Sequence, residues 1–181
     1  PEQLKNTPVA VSTFNGSHFT TLKMLEGFIR KEEIQTTSGG TMQERLEAVG
    51  KGEVAAGNFY EPWISVAQKQ GLRIIIESHS TRSEAASDEL DGSTLAAMFR
   101  AEGVAAKMIN ADPKRYSHYF INEVQGLLER DDFQAWRLLY GPPVPYTRAR
   151  FDAASQWMLG YPDLIEPGST YEQVVDNRAW E

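Results

Sequence analysis

The segment Asn15-Gly16-Ser17-His18 lies where an apolar run breaks, inside VAVSTFNGSHFTTLKML from Val9 to Leu25. Val9 and Val11 alternate with small residues over a short β-favouring stretch, and Phe19, Leu22, Leu25 and Phe28 then recur at helical spacing. This pattern predicts a strand, a tight turn and a helix with Ser17 as its N-cap. The free backbone N–H groups of a first helical turn, at the positive end of the helix dipole, attract an anion or a polar acceptor. The same βα unit is also an ordinary part of any α/β protein, so the stretch alone names no function.

Covalent and acid–base chemistry find little support. Ser17 and His18 are neighbours on a helix and point apart, and no G-x-S-x-G elbow is present. His18, His79 and His118 are too scattered for a local metal motif, so no metal is expected, and no cofactor. The chain has no cysteine, which excludes thiol catalysis, disulfides and Cys-ligated metals. Pro1, a secondary amine, is expected to mark a processing or cleavage boundary, with Glu2, Gln3, Lys5 and Asn6 as a solvated lead-in. No catalytic residue is assigned. A strongly shifted carboxylate or imidazole in a cleft would argue for an enzyme, with Glu61, His18 and His79 as the candidates.

The elements that must position these residues alternate. EEIQTT predicts a second strand, Gly39-Gly40 a turn, TMQERLEAVGKG a helix closed by Gly50 or Gly52, and EVAAGNF a buried third strand. EPWISVAQKQG then opens a helix at Pro62 and stops at Gly71, before LRIIIES, the most β-prone run in the chain. The order βαβαβαβ predicts a four-stranded, mainly parallel sheet with helices on both faces, from about Thr7 to Ser78. Ligands of such sheets bind outside the carboxyl ends of the strands, where Ser12 to Ser17, Ser38 to Thr41 and Asn58 to Glu61 fall. Glu61 has an alternative use, as a favourable charge in the first turn of its helix.

Beyond Ser78 the polar connector HSTRSEAASDELDG leads into helices and loops. The expected organisation is an α/β ligand-binding lobe at 1–78 and a helical half at 79–181. Leu95, Met98, Phe99, Met108 and Ile109 form one apolar stripe, and Phe133, Trp136, Leu139, Phe151 and Trp157 supply another. Asp112-Pro113 opens a further helix. The aromatic residues Tyr116, Tyr119, Phe120, Trp136 and Trp157 are expected in core packing. The 181 residues, 41% of them apolar, suffice for one substantial core or two modest lobes. A formal net charge of −7 argues against general affinity for nucleic acid or anionic membrane, and no apolar run approaches the length of a membrane span.

The order of these motifs resembles the type II periplasmic solute-binding proteins of ABC importers, in the branch that binds nitrate, sulfonates, taurine or the pyrimidine precursor of thiamine. LKNTPVAVSTFNGSHF is similar to the opening of that family's second lobe. RLEAVGKGEVAAGNFYEPWISVAQKQGLRIII resembles its helix, strand, E-P-W turn and following strand, with Ala55-Ala56 in place of the usual D-A. The C-terminal stretches NADPKRYSHYF, ARFDAASQWML and YEQVVDNRAW look like its last helices. The resemblance implies a periplasmic-binding-protein-like α/β fold lacking much of its first lobe, with a small polar or anionic solute in an interlobe cleft. Ser12, Thr13, Asn15, Gly16, Ser17 and His18 would form one wall. Ser38, Gly39, Gly40 and Thr41 would supply the next helix N-terminus, and Asn58, Tyr60 and Glu61 the third strand's end. Arg82, on the connector, would face the cleft and pair with an anion. Implied partners are the ligand, importer membrane subunits, and the missing lobe or a second copy. The implied location is periplasmic or extracytoplasmic. Desulfinase-, decarboxylase- and pyrimidine-precursor-synthase-like enzymes share the fold, so an enzyme acting on an aromatic or heterocyclic acid is the alternative.

Overall fold

The computed structural model describes residues 1–164 and 168–180. The chain is α/β and divides into two units. One comprises Pro1–Ser80 with Pro113–Arg137, and the other Thr81–Asp112 with the chain from Leu138 onward. These do not coincide with the expected halves, 1–78 and 79–181, because residues 113–137 lie with the first.

In the first unit, β1 (Pro8–Val11) carries α1 (Gly16–Leu25), β2 (Gln35–Ser38) leads into α2 (Met42–Gly50), and β3 (Ala56–Gly57) precedes α3 (Trp63–Lys69). The three strands form a parallel sheet in the order β2-β1-β3. Val9 stands opposite Thr36 on one side and Ala56 on the other. Val9, Ala10 and Val11 are all buried, as a central parallel strand covered on both faces requires. Leu4, Val9, Leu25 and Ile29 form a core cluster, with Ile34, Ala56 and Ile75 packed against it.

LRIIIES does not form the expected fourth strand; residues 72–78 are irregular. Strand propensity acts only where an edge is available to pair with, and β3 offers two residues. Ile75 still reaches the core cluster with its side chain, while Ile74 is exposed. The N-cap of α1 is also corrected. Asn15, two residues before Ser17, is extended and accepts the Ser17 N–H through Oδ1 at 3.0 Å. Thr41 and Glu44 close a reciprocal capping box on α2.

α5 (Pro113–Glu123) belongs to this unit and starts at Pro113. The chain behind it is held against α3. Lys69 pairs with Asp132 at 2.6 Å, the Gln134 N–H donates to Ser65 Oγ at 3.1 Å, and Phe120 stacks on buried Phe133. The expected burial of the aromatic residues holds for Phe120 only in part and fails for Tyr119 and Trp136, which are exposed. Trp136 instead lies under the Arg137 guanidinium, 4.5 Å from its centroid.

The second unit is built on α4 (Gly92–Ala111), capped by Asp91, with α6 (Arg148–Met158) and the short α7 (Tyr171–Val174). Phe99 stacks on Trp180, and Asn177 is bonded to Tyr146 and to the Tyr171 hydroxyl. No helix among the described residues is long and apolar enough to cross a membrane.

Candidate functional site

The strand order makes the carboxyl ends of β1 and β3 a topological switch point. The chain leaves β1 toward β2 on one side and returns to β3 on the other. The right-handed crossover rule assigns α1 and α2 to opposite faces for this order, and in open parallel sheets the two loops at such a point flank a ligand crevice.

Asn58, directly after β3, holds this crevice together. Its N–H donates to the Ala10 carbonyl at 3.0 Å, extending the β1–β3 ladder by one bond. Its Nδ2 donates to Thr21 Oγ1 at 2.9 Å and Thr20 Oγ1 at 3.3 Å on α1. Its carbonyl accepts from Arg45 Nη1 on α2 at 2.6 Å. One residue thus ties helices from the two faces to the end of the sheet.

On the β1 side, Ser12, Asn15 and Ser17 form a closed polar ring. The Ser12 N–H donates to Ser17 Oγ at 2.9 Å, the Ser17 hydroxyl donates to Asn15 Oδ1 at 2.9 Å, and Asn15 Nδ2 donates to Ser12 Oγ. Thr13, Phe14 and Asn15 are exposed. Phe14 has a φ of 59°, a left-handed conformation that a bulky side chain rarely adopts, and it presents its ring to solvent. Backbone of this kind concentrates at ligand-binding turns. Gly16 has no such conformation and nothing within 4 Å of where a Cβ would stand, so the chain itself does not require glycine there.

His18 is a structural group. It is 4% exposed, its Nδ1 accepts the Phe14 N–H at 3.3 Å, and its Nε2 lies 2.9 Å from Thr36 Oγ1. Nδ1 must be unprotonated to accept, so the ring proton sits on Nε2 and donates to Thr36. Burial holds the imidazole below its usual pKa, consistent with this neutral form. The ring therefore braces the Phe14 turn against β2.

On the β2 side, Ser38 and Thr41 are exposed, Gly40 takes a φ of 62°, and Gly39 is half-buried with its N–H on the Val11 carbonyl at 2.8 Å. A Cβ on Gly39 would stand 2.4 Å from Arg45 Cγ and 2.8 Å from Ala10 Cβ. Glycine is required here by close approach. The carboxylate of Glu44 is engaged by the Thr41 N–H and hydroxyl, which lowers its pKa.

Arg45, which sequence reasoning missed, lies on this same edge. Only 3% of it is exposed, and besides Asn58 it donates through Nε to the Thr41 carbonyl at 3.3 Å. Burial lowers its pKa, and the nearby Tyr60 phenol acts in the opposite sense. Spacing puts it on the apolar face of its helix but does not show its burial. Met42, Arg45 and Leu46 share one face of α2 and are all buried, yet an arginine on a short helix is usually solvated.

The remaining candidates separate. Tyr60 is half exposed beside Asn58 and Arg45. Glu61 is turned away into α3 and the returning chain. It accepts the Ser65 N–H at 3.2 Å and the Ser65 hydroxyl at 3.1 Å, and it pairs with Arg137 at 3.2 Å. Burial raises its pKa against the opposing pull of Ser65 and Arg137. It serves as a helix cap and an internal ion pair. Arg82 lies in the second unit, exposed, near enough to Tyr140 for its charge to act on the phenol. No group of His, Asp and Glu suited to a metal ion occurs among the described residues.

A cavity of about 500 Å3 opens elsewhere, at the amino ends of the strands, between Glu2, Lys5, Phe28, Arg30 and Glu33. Its charges are satisfied by one another, since Lys5 and Arg30 both pair with Glu33. The crevice at the carboxyl ends is therefore the better candidate. Comparison of the chain with protein-family models, with curated proteins and with solved structures finds no match.

Proposed function

We propose that the first unit binds a small polar or anionic solute in the crevice outside the carboxyl ends of β1 and β3, as the receptor component of an importer. The observation that carries this reading is the convergence on Asn58 of α1, α2 and β1, at the position where open parallel sheets take their ligands. Around it stand the exposed Thr13, Phe14 and Asn15, the Ser38–Thr41 turn and Tyr60, a mixture of hydroxyl, amide and aromatic groups suited to a small polar molecule. The two groups with the pKa shifts that acid–base catalysis would need, His18 and Glu61, are engaged in holding elements together, which favours binding over chemistry. The resemblance of the motif order to periplasmic solute-binding proteins supports the importer role and an extracytoplasmic location.

A thermal-shift screen over nitrate, sulfonates, carboxylates and pyrimidines tests the reading. A true ligand at 100 times its dissociation constant adds about 2.7 kcal/mol to stability. Asn58→Ala should abolish the response of any compound that stabilises the wild type. A hit that is unaffected by Asn58→Ala, or a chain stabilised by no compound in these classes, refutes the assignment.

A further inference from the structure

We propose, resting on that crevice as the binding site, that Arg45 commits its ligand to an oxyanion, a carboxylate, sulfonate or phosphate, held through Nη2 of the guanidinium. Arg45 is 3% exposed and carries a full positive charge, yet both of its hydrogen-bonding partners, the carbonyls of Asn58 and Thr41, are neutral. No carboxylate lies within ion-pair distance of it among the described residues. Glu44, the next residue along the chain, keeps its carboxylate on Thr41. Buried charges are ordinarily paired, because an uncompensated ion in a poorly solvated site is expensive.

The guanidinium also keeps one nitrogen without a protein acceptor. Nη1 and Nε each have a partner, whereas Nη2 has no protein acceptor among the described residues. No side-chain nitrogen among those residues is both fully buried and unpaired, so Nη2 is not completely enclosed. The Gly39 backbone lies against the stem of the side chain, leaving no space for a Cβ, and restricts where Nη2 stands. A pre-positioned Nη2 with unused N–H donors can give a charge-assisted hydrogen bond to an oxygen of a carboxylate, sulfonate or phosphate. Tyr60, half exposed and close to this charge, can cover the bound molecule with its ring.

The test uses matched probes at equal ionic strength: methanesulfonate against dimethyl sulfone, and benzoate against benzamide. The readouts are thermal shift and the 15N–1H resonance of Arg45 Nε. The expected result is that the anion of a pair stabilises the wild-type chain and moves the Nε resonance, that the neutral isostere does neither, and that Arg45→Met weakens anion binding at least about tenfold. Arg45→Lys, which keeps the charge without the fork, should retain part of the affinity, and it serves as the readout if Arg45→Met does not fold. Equal stabilisation by a neutral isostere, or anion binding that leaves the Nε resonance unmoved, overturns the oxyanion inference while leaving the crevice as a binding site. Failure of every probe and of the wider solute screen overturns both.

Discussion

Arg137 places Nη1 3.2 Å from Glu61 and Nε 2.8 Å from Glu77, with its side chain only 6% exposed. The same Nη1 donates to Gln68 at 2.9 Å. One guanidinium at the end of the 113–137 segment therefore binds the start of α3, its last turn and the chain that follows. This joint places residues 113–137 with the α/β unit.

Replacing Arg137 with Met is expected to cost about 3–5 kcal/mol, since it leaves Glu61 buried without its counter-charge and beside Glu77. Urea unfolding at neutral pH measures this directly. A loss below about 1 kcal/mol would mean that water reaches the pair and that the Lys69–Asp132 pair, the Gln134–Ser65 bond and the packing of Phe133 hold the segment without it.

His18 gives the chain a pH dependence of definite sign. Its folded pKa lies below the unfolded value of about 6.5, so the unfolded state takes up a proton first as pH falls. The contribution to stability is fully present above about pH 6.5 and declines as pH drops through that value toward the depressed folded pKa. Unfolding midpoints at pH 7.5 and 5.5 should fall more for wild type than for His18→Gln, which can donate to Thr36 and accept from Phe14 without titrating. Equal falls in the two proteins would show that His18 is not the titrating group.

The two glycines that flank the crevice are expected to behave oppositely. Gly39→Ala forces a methyl against Arg45 Cγ and Ala10 Cβ and should cost about 1–3 kcal/mol, as overpacking does. Gly16→Ala meets open space in a first helical turn and should change stability by no more than about 0.5 kcal/mol in either direction. Loss of ligand response in Gly16→Ala with unchanged stability would mark the turn as a point of close ligand approach.

Local patterns carried much of this arrangement. The alternation at Val9–Val11, the run TMQERLEAVGKG with its closing glycine, and the Asp112-Pro113 pair each act within a few residues, and each marks an element that is present. Features decided at long range were illegible. LRIIIES has the side chains of a strand but no edge to join. Arg45 was missed for the same reason. Its burial depends on Gly39 and Asn58, which approach it from two other parts of the chain.

The second unit covers its apolar side chains poorly. Along the 20 residues of α4 only Leu95 and Ala106 are buried, whereas Met98, Val104 and Met108 are exposed, and α6 has no buried residue. Leu139, Leu159 and Val174 in the same unit are each more than half exposed. Full burial of one such side chain contributes on the order of 1.5–3 kcal/mol, so covering this surface would change the stability of the unit by a large fraction of a domain's usual margin. Large apolar side chains exposed together in this number commonly mark a surface that takes a partner. The expected outcome is therefore that the chain binds a hydrophobic dye at low concentration, and that the dye is released as it associates at micromolar concentration. Sedimentation velocity across that range, read beside dye fluorescence, decides the matter. Met98→Glu and Met108→Glu together should abolish association and leave the circular dichroism unchanged. A strictly monomeric chain that binds no dye would show that the exposed residues of α4 and α6 need no cover.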